Sequence, residues 1–194
     1  MSKFIIFLCL VFLLSGCSSV DTANQNTSMS IEYSKFVGSR DTAGFGCDLK
    51  VYEDLNVIYD ESELVIVGTV KNLTEVSETF NDETLYASKI SVEVIELLKG
   101  NIATKSLNVL QTGKPNSDDY ETKLKKDNSY ILFLNSKKFN GETVYDCTGI
   151  EQGIFEIKQD GNLYSYVDFG ISATFDNKST NILKEELSKD YKRN

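Results

Sequence analysis

The chain lacks histidine and tryptophan altogether, and its 194 residues include one proline and four cysteines. Histidine is the commonest metal ligand and the usual general base near neutral pH. Its absence excludes Ser-His-Asp and Cys-His nucleophile systems, and every zinc site that uses histidine. The net charge of −9 argues against nucleic acid as a partner, because binding phosphates requires a basic surface. We therefore expect no enzyme active site and no cofactor.

The composition that remains is ordinary for a globular protein, with 41% hydrophobic and 25% charged residues. The apolar run Phe4 to Leu14 follows Lys3 and is too short to span a bilayer, which needs about 20 residues. Such a run predicts the hydrophobic region of a secretion signal. After it, Ser18 to about Ser30 is polar and almost free of apolar residues, which is a tether composition.

The residues Leu14-Ser15-Gly16-Cys17 resemble the lipobox of bacterial lipoproteins. That resemblance implies cleavage before Cys17, a diacylglyceryl group on its thiol, and a lipid-anchored protein on the extracytoplasmic face of the membrane. The alternative is an ordinary signal peptide in which Cys17 is incidental. We expect residues 1–16 to be the signal, 17–46 an acylated N-terminus and tether, and 47–194 one domain.

Four cysteines then divide between these segments. Cys9 lies in the signal and Cys17 is the lipid attachment site, so Cys47 and Cys147 remain in the domain. Exported proteins meet an oxidising compartment, which favours a disulfide between the two. In the chain-entropy model a loop of about 100 residues stabilises by about 4.7 kcal/mol. The alternative is a pair of free thiols.

The sequence of the domain predicts a mainly β fold. Apolar residues at steps of three and four predict a short helix between Asp48, as N-cap, and Ser62. Leu183, Leu187 and Tyr191 predict a second helix at the C-terminus. The strands between them are predicted at Leu64–Val70, Thr84–Leu98, Ser106–Gln111, Tyr130–Leu134, Val144–Cys147, Gly153–Lys158 and Asn162–Val167, with hairpin turns at Asn140-Gly141 and Asp160-Gly161.

The strand over Thr84–Leu98 carries the most information. Its apolar residues alternate regularly until Val94 and Ile95 come in succession, after which the apolar face changes. Such a slip predicts a β-bulge, which bends the strand. The alternative is a strand that ends at Val94, followed by a turn of helix. A long bent strand favours a small antiparallel OB-like barrel of five to seven strands with flanking helices, and a β-sandwich is the competing architecture.

Three segments, Glu63–Val70, Val94–Gly100 and Asn128–Leu134, resemble a recurring type of bacterial secreted protein. Those proteins are similar to the netrin and tissue-inhibitor-of-metalloproteinase modules, which are OB-fold barrels, and the resemblance covers about Cys47 to Val167. In the metalloproteinase inhibitors a free N-terminal cysteine chelates the protease zinc. Here Cys47 is internal and Cys17 would be acylated, so that chemistry is not carried over.

Candidate sites are few. Asp118, Asp119 and Glu121 lack the spacing of a calcium loop and predict a solvated loop, so we expect no metal site. Tyr164 and Tyr166 share one strand face. Because the chain is acidic and no Arg or Lys lies between them, we expect them to cover the barrel core or to pack against a terminal helix, and a binding platform is the alternative. We expect a non-enzymatic binding module of the cell envelope that meets the membrane through its lipid and binds a protein or envelope ligand. The alternatives are an inhibitor or protective factor against a secreted hydrolase, and a carboxylate-dependent hydrolase of envelope glycans.

Overall fold

The computed structural model describes residues 50–80, 83–113, 115 and 123–190. Residues 1–46 and Cys47 lie outside this part, so the predicted boundaries of signal, tether and domain stay predictions. In chain order the elements are helix α1 (Leu55–Glu61), strands β1 (Leu64–Phe80), β2 (Glu83–Lys99), β3 (Ser106–Thr112), β4 (Ser129–Phe139), β5 (Glu142–Cys147), β6 (Ile154–Ile157) and β7 (Leu163–Ser165), and helices α2 (Gly170–Phe175) and α3 (Thr180–Asp190).

Five of the strands form a partly closed ring. Their order is β1-β2-β3-β5-β4, and β4 pairs back to β1 over Leu64–Thr69. The β3–β5 contact that joins the two ends is parallel and rests on the pair Val109 and Tyr145. Strands β6 and β7 continue the sheet from β4. The predicted OB-like barrel is confirmed, because one sheet curls on itself where a sandwich would stack two.

The apolar runs of β1 and β4 are explained by burial on both faces. In β4, Tyr130, Leu132 and Leu134 pack into the barrel interior, whereas Ile131 and Phe133 pack outward against the helices. Leu124, which precedes β4, is fully buried in the same interior cluster. The outer cluster joins these strands to all three helices through Leu55, Ile58, Tyr59, Val65, Val67, Phe155, Leu163, Ile171, Phe175, Leu183 and Leu187.

The predicted bulge in β2 is confirmed. Val67 pairs with Glu96 and Gly68 pairs with Val94, so Ile95 has no partner on β1. Ile95 is 61% exposed as a result. The strand continues past this point, so the alternative of a helical turn after Val94 is wrong. The bulge bends β2, so that the long hairpin of β1 and β2 can form part of two sides of the ring.

The turn Lys99-Gly100 fastens α1 to the barrel. The Lys99 ammonium donates to the carbonyl oxygens of Tyr59 (2.5 Å) and Asp60 (3.1 Å), near the C-terminal end of α1. A cation is favourable there because carbonyl groups of the last turn lack intrahelical partners. Gly100 has a φ of +89° and packs against the backbone of Glu63, where a side chain has no room.

Several boundaries differ from the sequence prediction. The first helix spans only Leu55–Glu61, with Asp54 as its N-cap, since the Asp54 carboxylate accepts from the Asn56 amide at 2.8 Å. Residues 50–54 are not helical, and the predicted cap Asp48 lies outside the described residues. Strand β1 runs ten residues beyond Val70 to Phe80, and α2 was not predicted. The Asn140-Gly141 turn is confirmed, because its two positive φ angles, 49° and 80°, are those of a type I′ hairpin.

Candidate functional site

One face of β4, β6 and β7 carries a row of polar side chains. Tyr130 on β4 is the register partner of Glu156 on β6, and Glu156 is the partner of Tyr164 on β7. Tyr166 follows directly after β7, and its ring meets that of Tyr164. Register pairing places side chains of partnered residues on the same face of a sheet. Three neighbouring elements thereby bring Tyr130, Glu156, Tyr164 and Tyr166 together.

Glu156 is the centre of this row and is 7% exposed. Its carboxylate accepts hydrogen bonds from the Asn128 side-chain amide (3.0 Å), the Lys158 ammonium (2.8 Å) and the Tyr166 hydroxyl (2.7 Å). Burial alone raises the pKa of Glu156, but the hydrogen bonds from Lys158 and Tyr166 outweigh it and hold the pKa below its usual value. The carboxylate is therefore ionised at neutral pH and held by three hydrogen bonds.

The two tyrosine hydroxyls fasten the segment before β4 to the sheet. The Tyr130 hydroxyl accepts from the Lys125 amide at 2.8 Å, and the Tyr166 hydroxyl oxygen lies 2.9 Å from the Lys123 carbonyl oxygen. Burial raises the pKa of both tyrosines, and for Tyr166 the bond to Glu156 raises it further. Efficient general acids and bases have a pKa near the working pH. The shifts in this cluster move the pKa values away from neutrality, which favours positioning over proton transfer.

Tyr164 and Tyr166, together with Lys158, form what we call the aromatic surface. The two rings meet edge to face, with centroids 5.2 Å apart and planes at 85°. The Lys158 ammonium lies 4.5 Å from the centroid of Tyr164, which is cation-π geometry. Tyr164 is 42% exposed. Tyr166 packs in part against the barrel interior. The exposed ring thus fits the platform interpretation, whereas the half-buried one also covers the core.

A concave feature separate from the aromatic surface lies among the three helices. It is an open cleft of about 430 Å³, which is within the range of small-ligand sites. Its floor is apolar, and its rim has three acidic residues, one lysine and two neutral polar residues. The lining residues are Glu53, Asp54, Leu55, Asn56, Ile171, Thr174, Phe175, Glu186 and Lys189.

Two other acidic residues near α1, Glu61 and Glu63, have structural partners. Glu61 pairs with Lys50 and accepts from the Tyr52 hydroxyl at 2.8 Å. Burial first, and then the neighbouring carboxylate, raises the pKa of Tyr52 to about 12. Glu63 accepts from the Ser136 amide at 3.2 Å. These contacts hold the α1 region to the rest of the domain.

Of the three cysteines predicted as sites, the structure describes only Cys147. Cys17 and Cys47 lie outside the described residues, as do Asp118, Asp119 and Glu121. Cys147 ends β5 and packs against the barrel interior. Burial raises the pKa of its thiol, and the negative charge of the adjacent Asp146 raises it further. Within the described residues Cys147 forms no disulfide, and its pairing with Cys47 stays a prediction.

Sequence reasoning did not single out Glu156, Lys158, Tyr130 or Lys99. One signal was available: Glu156 interrupts the apolar run Ile154–Ile157 of a predicted strand. A charged residue within such a run, on a strand buried on both faces, requires partners, because an unpaired buried charge is costly. Lys158 is two residues from Glu156 on the predicted strand and so falls on the same face. Asn128 and Tyr166, in contrast, come from segments that no spacing rule connects to Glu156.

No protein-family model, no curated protein and no solved structure matches this chain. In the part of the chain that the structure describes, no group of three or more Cys, Asp or Glu residues is placed to hold a metal ion. No helix among the same residues is long and apolar enough to cross a bilayer. The chemistry of the candidate sites therefore has to be argued from their own residues.

Proposed function

We propose that this protein is a lipid-anchored module of the bacterial cell envelope that binds a protein ligand through its aromatic surface. The observation that carries the binding role is the exposed Tyr164 ring, edge to face with Tyr166 and beneath the Lys158 ammonium. Tyrosine is enriched at the energetic centres of protein interfaces, since it contributes a large contact area with little conformational entropy to lose. Support for the anchor comes from Leu14-Ser15-Gly16-Cys17 in the sequence.

The polar row beneath this surface supports the same role. Glu156 fixes Tyr166 and Lys158, and Tyr166 in turn contacts Tyr164. A binding surface gains affinity when its side chains are already held in place, because less entropy is lost on association. Glu156 is therefore a positioning residue for the surface.

The binding role is tested by capture of envelope proteins on the immobilised protein. Tyr164→Ala is expected to reduce capture of the specific ligand at least about tenfold, the effect of a side chain worth about 1.4 kcal/mol or more. The matched control is Tyr86→Ala, because Tyr86 is also an exposed tyrosine, 36% accessible, on a strand that does not pair with β6 or β7. Equal capture by wild type and Tyr164→Ala would refute the assignment of the surface.

The anchor is tested separately. Mass spectrometry of the mature protein is expected to show a diacylglyceryl group on Cys17, and Cys17→Ala is expected to release the protein into the medium. A soluble, unmodified wild type would contradict the anchor and leave the binding role standing.

The hydrolase alternative has less support in the geometry. The cleft does bring Glu53, Asp54 and Glu186 together. However, Asp54 caps α1 and Glu186 is paired with Lys189, with 2.6 Å between its Oε1 and the Lys189 Nζ. A glycosidase needs one carboxyl group to act as acid and another as base or nucleophile, and here two of the three candidates already have structural partners.

A further inference from the structure

The cleft between the helices combines an apolar floor with uncompensated negative charge. Leu55, Ile171 and Phe175 form the floor and are each less than 10% exposed. On the rim, Lys189 neutralises Glu186 by a direct ion pair. Glu53 and Asp54 remain, and among the described residues neither forms an ion pair. The cleft therefore carries a net charge of about −2 over a hydrophobic base.

We propose that this cleft binds a lysine or arginine side chain carried by a protein partner. The aliphatic stem would lie along the small apolar surface that Leu55 and Phe175 leave open to the cleft, while the cationic head would meet the carboxylates of Glu53 and Asp54. The Lys178 ammonium, 5.4 Å from the centroid of the Phe175 ring, shows that this ring already accepts a cation beside it. Long cationic side chains combine these two properties, since the stem buries apolar area and the charge stays at the rim. An anion would be repelled by the rim, and an uncharged apolar group would leave Glu53 and Asp54 without an ion-pair partner, although Asp54 would keep its N-cap hydrogen bond.

The shape of the cleft favours a side chain over a free small cation. Small-molecule sites bury most of the ligand surface. This cleft is partly open to solvent, so a free ligand would stay partly hydrated. A side chain attached to a larger partner needs only its tip and stem enclosed, because the surrounding surfaces contribute the rest of the contact. The rim also attracts a basic segment over a distance, which raises the association rate.

This site is separate from the aromatic surface. On β7, Leu163 belongs to the core cluster that the helices cover, whereas Tyr164 projects to the opposite face with Glu156. Substitutions in the cleft therefore leave the aromatic surface intact. Failure of one proposal does not entail failure of the other.

The test is a fluorescence-anisotropy titration of the full chain with dye-labelled pentapeptides that differ only at their central residue. Lysine and arginine peptides are expected to bind severalfold, and at most about thirtyfold, more tightly than a norleucine or acetyl-lysine peptide, because two partly exposed ion pairs each contribute modestly. Binding is expected to weaken with rising salt. Equal affinity of the lysine and norleucine peptides would overturn the proposal.

The site itself is tested by the double variant Glu53→Gln, Asp54→Asn. Asparagine is as good an N-cap as aspartate, so α1 keeps its cap while the rim loses both charges. The matched control is Asp60→Asn, Glu185→Gln, which removes the same charge from exposed positions of α1 and α3 that do not line the cleft. Only the first variant is expected to lose the preference for lysine. An equal loss in both, or tighter binding of free spermidine than of the lysine peptide, would overturn the proposal.

Discussion

Gly100 offers a sharp test of how the Lys-Gly turn holds α1 against the barrel. Its φ of +89° lies in the left-handed region, and a Cβ built there would lie 2.5 Å from Cδ2 of Leu64 and closer still to the carbonyl oxygen of Glu63. Gly141 and Gly161 have nearly the same φ, +80° and +81°, but a Cβ on either would meet nothing within 4 Å. The three positions share the backbone strain and differ only in packing.

The expected magnitudes follow from that comparison. Alanine in the left-handed region costs about 1–2 kcal/mol, reduced by about 0.4–1 kcal/mol because alanine also restricts the unfolded chain. We therefore expect Gly141→Ala and Gly161→Ala to lower the free energy of unfolding by about 1 kcal/mol. Gly100→Ala adds a clash with backbone that cannot rotate away, and overpacking of this kind costs about 1–3 kcal/mol more. Its total is about 2–4 kcal/mol, a large part of the 5–15 kcal/mol of an ordinary domain.

Equilibrium urea unfolding, followed by far-ultraviolet circular dichroism, measures all three variants on the same scale. The linear extrapolation gives the free energy of unfolding, and an unchanged slope shows that the variants unfold to comparable states. The reasoning predicts a clear excess loss for Gly100→Ala over both controls. If Gly100→Ala is no less stable than Gly141→Ala, the turn does not fix the α1–β1 junction, and the close approach at Glu63 carries no energetic weight.

Two further predictions concern ionisable groups. Because the pKa of Glu156 is lowered in the folded state, its contribution to stability is present above the ordinary carboxyl pKa of 4.5 and is lost as the pH falls through the lower folded value. Glu156→Gln should therefore reduce the free energy of unfolding at pH 7 by about 1–3 kcal/mol, and it should flatten the acid side of a plot of urea midpoint against pH. An unchanged acid side of that plot would contradict the prediction. The raised pKa of the Cys147 thiol predicts negligible labelling of the native protein by iodoacetamide at neutral pH. After unfolding without reductant, mass spectrometry should find Cys147 still unlabelled if it is bridged to Cys47, whereas a label there would establish the free thiol.

The strands that could be predicted from the sequence are those whose own residues show an apolar run or a regular alternation of apolar and polar side chains. The bulge at Ile95 was readable because the alternation of apolar residues slipped at that point. The second half of β1 was not readable, since Lys71, Asn72 and Thr74 have no strand pattern. This half of β1 is extended because β2 pairs with it from Asn72 to Phe80, after a register shift that leaves Lys71 without a register partner. That pairing overrides local preference.

The start of α1 was mispredicted for a similar reason. Helical spacing extends back to Val51, but the chain there is held by distant partners. The Tyr52 amide donates to the Gln152 side chain at 2.8 Å, and its carbonyl accepts from the Ile171 amide at 2.7 Å. Both backbone groups are satisfied outside a helix, so the helix begins after Asp54.

The candidate sites are predictable only in part for the same reason. The spacing of two residues placed Tyr164 and Tyr166 on one face, but Tyr130 joins them through strand register and the cleft residues meet through helix packing.

The edge of the sheet decides how a partner can bind. A free edge strand invites another chain to add a strand, and β7 is the last strand of this sheet. Its outer groups are already used: the Leu163 amide donates to the Lys178 carbonyl, the Asn177 amide to the Leu163 carbonyl, both at 2.8 Å, and the Ser165 amide to the Asp176 carboxylate. The turn after α2 thus closes this edge. A partner that approaches here meets side chains and not backbone, with Tyr164 and Lys158 on one face and the helical layer on the other.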